Sequence, residues 1–274
     1  MGEVSPPDLP ERYLALLKSH LIRGSYRVPD PFAGSLKAKV YRPVQQALAR
    51  LGLQLVRPVD PVAQEQGLDY SSDADTMIGL RRLDNLQFCV TDVIRRGVPG
   101  DLLEAGVWRG GAAIFMRAIL HAHGETDRVV WLADSFQGVP RPDAERYPAD
   151  KDDPCWRMGA LAVDAEAVRA NFARYDLLDG RVRFIEGWFC DTLPSAPVDR
   201  LAVMRLDGDL YESTMDALRA LYPKLSVGGY VIVDDYGNEV LGCRRAVDDY
   251  RAEHGIAAAI HTVDWTGVYW QREA

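Results

Sequence analysis

The chain is poor in cysteine, with four in 274 residues. None forms a CxxC pair or stands at metal-ligand spacing, which excludes a disulfide scaffold and a thiolate zinc site. Cys89, Cys155, Cys190 and Cys243 read instead as small residues of a reducing compartment, most of them buried. Long apolar runs are missing too; none approaches the roughly 20 residues that cross a bilayer. The opening Met1-Gly2-Glu3-Val4-Ser5-Pro6-Pro7 is neither basic nor apolar enough for a signal peptide. Basic residues are outnumbered, 32 against 40 acidic, for a net charge of −8. That balance argues against an electrostatic grip on nucleic acid or an anionic membrane. Neither GxGxxG nor a Walker lysine motif occurs, and no internal repeat is evident. These absences point to a cytoplasmic protein, and 47% hydrophobic residues suffice for a sizeable core.

What is present changes character along the chain. The first part is punctuated by Pro29, Pro31, Pro43, Pro58 and Pro61 and carries short helical patterns, Arg12 to Ile22 and Val44 to Leu51. Asp75 to Arg96 is more regular, with Met77, Leu80, Leu83, Leu86, Val90 and Ile94 on one face. From Asp101 strands and helices alternate. Strands are predicted over Asp101 to Val107, Arg128 to Ala133, Arg181 to Ile185, Leu201 to Leu206, Tyr230 to Val233, Ala257 to Val263 and Val268 to Gln271. Helices are predicted over Gly110 to His121, Ala165 to Tyr175, Ser213 to Leu225 (ended by Gly228-Gly229) and Cys243 to His254. Such alternation implies a mostly parallel sheet covered on both faces, and the short turn at Asp264 to Gly267 adds an antiparallel hairpin at the end. Residues 1–74 form an N-terminal helical segment, and 75–274 the main domain.

Two carboxylate clusters dominate this pattern. Asp207-Gly208-Asp209 and Asp234-Asp235 each follow an apolar strand run, with a helix between. A strand–helix–strand unit makes the two strands parallel, so both clusters fall on the sheet edge where open α/β sheets bind ligands. Convergent carboxylates repel unless a divalent cation or a shared proton relieves them. On the same edge, Leu103 to Gly111 forms a glycine-bearing turn before a helix N-terminus, where backbone can approach a ligand closely. Glu104 there suits a cationic or amino-bearing ligand better than a pyrophosphate. Asp134 is placed either to accept from ribose hydroxyls or to cap a helix. The aromatics of Glu186-Gly187-Trp188-Phe189 flank an adenine or fill core.

Taken together, Leu103 to Gly111, Asp134-Ser135-Phe136-Gln137-Gly138-Val139-Pro140, Leu206 to Thr214 and Asp234-Asp235-Tyr236-Gly237 resemble the macrocin O-methyltransferase (TylF-type) family, over roughly Asp75 to Trp270. The resemblance implies a class I methyltransferase fold, a Rossmann-like seven-stranded sheet with the last strand antiparallel. It implies S-adenosylmethionine as methyl donor, Mg²⁺, and a hydroxyl of a sugar on a glycosylated antibiotic-type small molecule as acceptor. It further implies that Glu104, Ala105, Gly106, Arg109 and Gly110 lie at the methionine end of the cofactor. Asp134, Ser135 and Phe136 are then at its ribose, Gly187 and Trp188 near adenine, and Thr76 and Met77 in a lid. Asp207, Asp234 and Asp235 look like the ligands of one Mg²⁺, with Asp207 also beside the cofactor. For the base that weakens the hydroxyl proton, Asp209 is preferred and Asp207 is the alternative; for Asp209 a helix N-cap or a solvated loop charge is the blander reading. Methylation of a catechol-like phenol is the second reading. An NAD-dependent oxidoreductase is a third, disfavoured by the missing pyrophosphate turn, and a non-enzymatic sensor would not need the acidic cluster.

Other polar residues get plainer assignments. Ser213-Thr214 is expected to cap its helix, Asp150-Lys151-Asp152-Asp153 to be an exposed loop, and Arg81-Arg82 and Arg244-Arg245 to be solvated. His121 and His123 suit a helix C-terminus. Tyr13, Leu16, Leu17, Ile22 and Phe32 are expected to pack on a neighbouring subunit or cover the site, in a dimer or larger homo-oligomer.

Overall fold

The computed structural model describes residues 8–23, 38–53, 60–70 and 73–274. Phe32 and the opening residues 1–7 lie outside them. The chain runs α1 (Leu9–Leu21), α2 (Ala38–Ala49), α3 (Pro61–Glu65), α4 (Leu80–Arg95), β1 (Asp101–Ala105), α5 (Gly111–Ala122), β2 (Val130–Asp134), α6 (Ala165–Arg174), β3 (Val182–Glu186), α7 (Phe189–Thr192), β4 (Leu201–Leu206), α8 (Tyr211–Leu221), β5 (Leu225–Val233), α9 (Cys243–Glu253), β6 (His261–Thr262) and β7 (Val268–Gln271). Seven strands form one sheet in the order β3-β2-β1-β4-β5-β7-β6. β1 to β5 pair in parallel and β7 runs antiparallel to β5 and β6. The sheet is the one the class I methyltransferase fold requires.

Side chains alternate across the strands, so each strand feeds two cores. Leu102, Val203 and Ile232 face α1, α4, α5 and α6. Leu103, Met204, Val231 and Val233 face α8 and α9. α5 is apolar almost all round, with Gly111 through Leu120 buried. A helix of that kind needs cover beyond the sheet. Leu14, Leu17 and Leu21 of α1 supply part of it and belong to the same core, and the backbone N–H of Asp75 donates to the Leu21 carbonyl.

Some elements differ from the sequence reading. α8 ends at Leu221 because Pro223 follows in a tight 3-10 turn, and Gly228-Gly229 lies inside β5 rather than ending the helix. α4 begins at Leu80, five residues later than the apolar pattern implied, and β6 is only two residues long.

One structural prediction arises here. Asp92 on α4 accepts from Tyr230 Oη at 2.8 Å, Arg96 Nε at 2.6 Å and Arg95 Nη2 at 2.8 Å. Burial pushes its carboxyl up, but these donors outweigh burial and hold it below the usual range. Such a group stabilises the fold above its unfolded pKa, about 3.9, and the contribution is lost as pH falls through the lower folded value. Arg95 is largely exposed and adds little. Asp92→Asn is therefore expected to cost about 1–2 kcal/mol at neutral pH and to flatten the acid limb of thermal stability below pH 4. Equal melting curves for the two proteins at pH 7 would refute this.

Candidate active site

The C-terminal ends of β1, β2, β4 and β5 open into one cavity of about 450 Å³. β1 turns at Gly106, whose φ is +88°. A Cβ there would sit 1.7 Å from the Asp207 carbonyl oxygen, so only glycine lets the β1 turn lie against the β4 end. The Asp207 N–H donates to the Ala105 carbonyl at 2.8 Å and the Asp234 N–H to that of Leu206 at 3.0 Å. Sheet hydrogen bonding thus carries the Gly106 turn and both acidic clusters onto one wall.

Met77, Gly106, Asp134, Ser135, Trp188, Asp207, Asp209, Asp234 and Asp235 all line this cavity. Thr76, Glu104, Ala105, Arg109, Gly110, Phe136 and Gly187 stand behind that wall or beside it. Glu104 is buried and paired to Arg205. Arg109 reaches the Ala74 carbonyl and stacks on Trp108. Thr76 accepts from the Ile78 N–H, Gly187 donates to the Asp134 carbonyl, and Phe136 packs on Phe184. Asp134 uses its carboxylate on the backbone, accepting from Val107 N at 2.6 Å and Phe136 N at 2.7 Å. It thereby ties the two turns together. Burial raises its pKa, opposed by these N–H donors.

The acidic centre divides by how its charge is compensated. Arg205, on β4 and in register with Glu104, is buried and contacts Glu104, Asp207 and Asp234. One guanidinium serves three carboxylates. Glu104 is accordingly pushed up to about 8 by burial, despite its pairing with Arg205, with Asp207 and Asp234 adding repulsion. Asp207 is raised by burial and Asp234. Asp234 goes the other way: burial is outweighed by Arg205 and Arg82. Arg82 donates to Asp234 Oδ2 at 2.6 Å and to Asp264 Oδ2 at 2.8 Å. Its side chain is mostly buried, contrary to the solvated face expected; Arg81 is the half-exposed one, paired with Glu65.

On the other side, no guanidinium forms an ion pair with Asp209 or Asp235 among the described residues, although Arg82 acts on Asp235 from a distance. Burial, Asp207 and Asp153 push Asp209 up to about 7, and burial with Asp209 and Asp207 raises Asp235 well above the carboxylate range. Asp234 Oδ1 and Asp235 Oδ2 are buried with no hydrogen-bond partner. As placed, no three acidic, histidine or cysteine side chains among the described residues form a ready cation cage.

In the segment Asp150 to Asp153, Lys151 and Asp152 are exposed as expected, but Asp150 and Asp153 are buried. Asp150 is fully buried and accepts from Tyr211 N at 2.6 Å and Glu212 N at 3.2 Å. It caps α8 from 61 residues away, the task expected of Ser213-Thr214, which are instead buried within the helix. Asp209 is no cap either: Leu210 holds the N-cap position, and Asp209 takes a left-handed φ of 55° with its carbonyl accepting from Cys243 N at 3.0 Å. Asp153 and Cys155 bring a further carboxylate and a thiol beside Asp209. Arg82, Arg205, Asp150 and Asp153 escaped the sequence reading. Only Arg205 had left a signal: a lone Arg in an apolar strand, two residues before Asp207 and so on the same face, must be paired.

The comparisons with known proteins agree with this geometry. The model of the Macrocin-O-methyltransferase (TylF) family matches residues 10–272. The chain is 58% identical over 212 residues, 76% of this chain and 79% of the other, to 8-demethyl-8-(2,3-dimethoxy-alpha-L-rhamnosyl)-tetracenomycin-C 4'-O-methyltransferase of Streptomyces olivaceus. It is 52% identical over 215 residues, 77% of this chain and 84% of the other, to mycinamicin III 3''-O-methyltransferase of Micromonospora griseorubida. The solved structure of the O-methyltransferase NovP superposes with a TM-score of 0.84 at 48% identity, covering 97% of this chain and all of that one. These likenesses set aside the oxidoreductase alternative. No described helix is long and apolar enough to cross a membrane. The chain belongs to the Macrocin-O-methyltransferase (TylF) family and is an S-adenosylmethionine-dependent O-methyltransferase.

Proposed function

We propose that this enzyme methylates a hydroxyl of a sugar carried on a glycosylated natural product, with Mg²⁺ held by Asp207, Asp234 and Asp235. The observation that carries this reading is the pair of unpartnered buried oxygens, Asp234 Oδ1 and Asp235 Oδ2, in the same cavity as Gly106 and Asp134. A hard cation takes oxygen donors and keeps several waters, which neighbouring hydroxyls can replace. The Streptomyces olivaceus relative, named as a methyltransferase of a rhamnosyl-bearing tetracenomycin, supports a sugar acceptor. Bound S-adenosylmethionine would supply an activated methyl group, and Mg²⁺ would polarise the acceptor oxygen.

The chain's own residues have distinct tasks in this scheme. Asp209 takes the hydroxyl proton; its raised pKa makes it a better proton acceptor than an ordinary carboxylate once ionised. Arg82 and Arg205 fix Asp234 Oδ2 and leave Oδ1 free for the cation. The Gly106 turn, with Glu104, Ala105, Arg109 and Gly110 around it, orients the methionine end of the donor. Asp134 with Ser135 and Phe136 serves the ribose, and Gly187 with Trp188 the adenine. Residues 60–70, continued by Thr76 and Met77, help to cover the site, and Gly67 on the cavity wall supports this; other parts of the N-terminal segment expected in that role lie outside the described residues. Leu9, Tyr13 and Leu16, which α1 turns to solvent, suit contact with another copy in a homo-oligomer.

L-Rhamnosides with free neighbouring hydroxyls are the first acceptors to test, with labelled cofactor and mass spectrometry to locate the methyl. EDTA is expected to abolish transfer and Mg²⁺ to restore it. Asp207→Asn and Asp234→Asn are each expected to lose at least about 10²-fold in kcat, while S-adenosylhomocysteine still raises the melting temperature. Full activity after chelation would remove the metal from this account, and label found off the sugar would remove the acceptor.

A further inference from the structure

Two large apolar side chains on the cavity wall remain open to solvent: Trp265 is 51% exposed and Met158 is 48% exposed. Single exposed apolar residues are ordinary on protein surfaces. These two share the mouth of one cavity, and they arrive from widely separated segments. Met158 lies between β2 and α6, and Trp265 in the turn between β6 and β7. Val268 pairs with Val233, so that turn sits at the same sheet edge as the end of β2. In the sheet order β1, β4 and β5 stand between β2 and β7, a span of roughly 19 Å at about 4.8 Å per strand. The acidic ends of β4 and β5 lie within that span.

Trp265 is held in place although its ring is half open. Its Nε1–H donates to the Gln66 carbonyl at 3.0 Å, and the Arg82 guanidinium lies 6.0 Å from the ring centroid. Asp264, gripped by Arg82, accepts from Thr266 N at 3.1 Å and Gly267 N at 2.8 Å and so stiffens the turn. A ring already fixed loses little freedom on binding, the property of a preformed stacking surface. Met158 offers an unbranched, polarisable side chain that adapts to its partner.

We propose that Trp265 and Met158 form the subsite for the apolar scaffold to which the acceptor sugar is attached. The sugar's hydroxyls face the carboxylates, and the scaffold rests on the indole at the rim. This rests on the sugar-acceptor reading above.

The test compares 2-naphthyl α-L-rhamnoside with methyl α-L-rhamnoside, which share the sugar and differ only in the scaffold. In the wild type the naphthyl compound is expected to have the lower KM. Trp265→Ala and Met158→Ala should each raise its KM about tenfold, with kcat within twofold and the methyl glycoside's KM unchanged; Trp265→Phe should keep most of the preference. An unchanged KM ratio between the two acceptors in both alanine variants overturns the subsite. Calorimetric binding of the naphthyl glycoside in the presence of S-adenosylhomocysteine separates the two readings. If the wild type binds it and Trp265→Ala binds at least tenfold more weakly, the subsite stands even where no methyl is transferred, and the failure belongs to the sugar-acceptor reading. Equal affinity in wild type and both alanine variants overturns the subsite by this route as well.

Discussion

Asp209→Asn is expected to lower kcat by about 10²–10⁴-fold while leaving the affinity for S-adenosylhomocysteine within a factor of two. Among the carboxylates of the centre, Asp209 lines the cavity without an arginine partner among the described residues. Its backbone is fixed independently of its side chain, through the left-handed φ and the hydrogen bond from Cys243 N. The amide of asparagine can keep the shape and cannot accept the proton. The loss should therefore fall on kcat with little change in KM, the signature of an interaction needed in the transition state. Asp207→Asn should behave differently, because Asp207 also engages Arg205 and is proposed to hold the cation. Its activity loss should be accompanied by weaker Mg²⁺ binding, read by calorimetry, whereas Asp209→Asn should bind Mg²⁺ nearly as the wild type does. Full activity in Asp209→Asn would transfer the role of base to Asp207.

The fold and the ends of its strands were legible in the sequence for a local reason. Each of the parallel strands β1 to β5 is followed by a helix before the next strand, and most are short apolar runs, so period and order alone placed Asp134, Asp207 and Asp234 on one edge. What the sequence concealed is non-local. Asp150 looks like part of a solvated acidic loop because its partners, the first amides of α8, lie 61 residues away. Arg82 looks like a surface residue beside Arg81, because Asp234 and Asp264 are 152 and 182 residues distant. In both cases a charged side chain is buried only because another segment meets it. The end of α8 was misread for a nearer cause: Pro223 removes an N–H and stops the helix before Gly228-Gly229 is reached. Within the site, the residues proposed to touch the donor divide the same way. Gly106, Asp134 and Trp188 are on the cavity wall, while Glu104 turned inward to satisfy Arg205, a pairing visible only once β1 and β4 are placed side by side.

Arg205→Met is expected to be the most destabilising single change at the centre. The side chain is buried and is shared by Glu104, Asp207 and Asp234; Arg82 contacts only Asp234 of these three. Methionine fills comparable space and leaves Glu104, buried, and Asp207, partly buried, without a cation. Breaking a buried pair in this way costs about 3–5 kcal/mol, which lowers the melting temperature by on the order of 10 °C in a chain of this size. The measurement is thermal unfolding with chelator present, so that no added cation substitutes for the guanidinium. A double variant separates charge from packing. Arg205→Met combined with Glu104→Leu removes the most deeply buried of the stranded carboxylates, and it should recover a substantial part of the loss, since replacing both partners of a buried pair is far milder than removing one. If the double variant melts no higher than Arg205→Met alone, the destabilisation lies in the shape of the missing side chain. In that case the crowding of carboxylates around one guanidinium does not hold the β1 and β4 ends together.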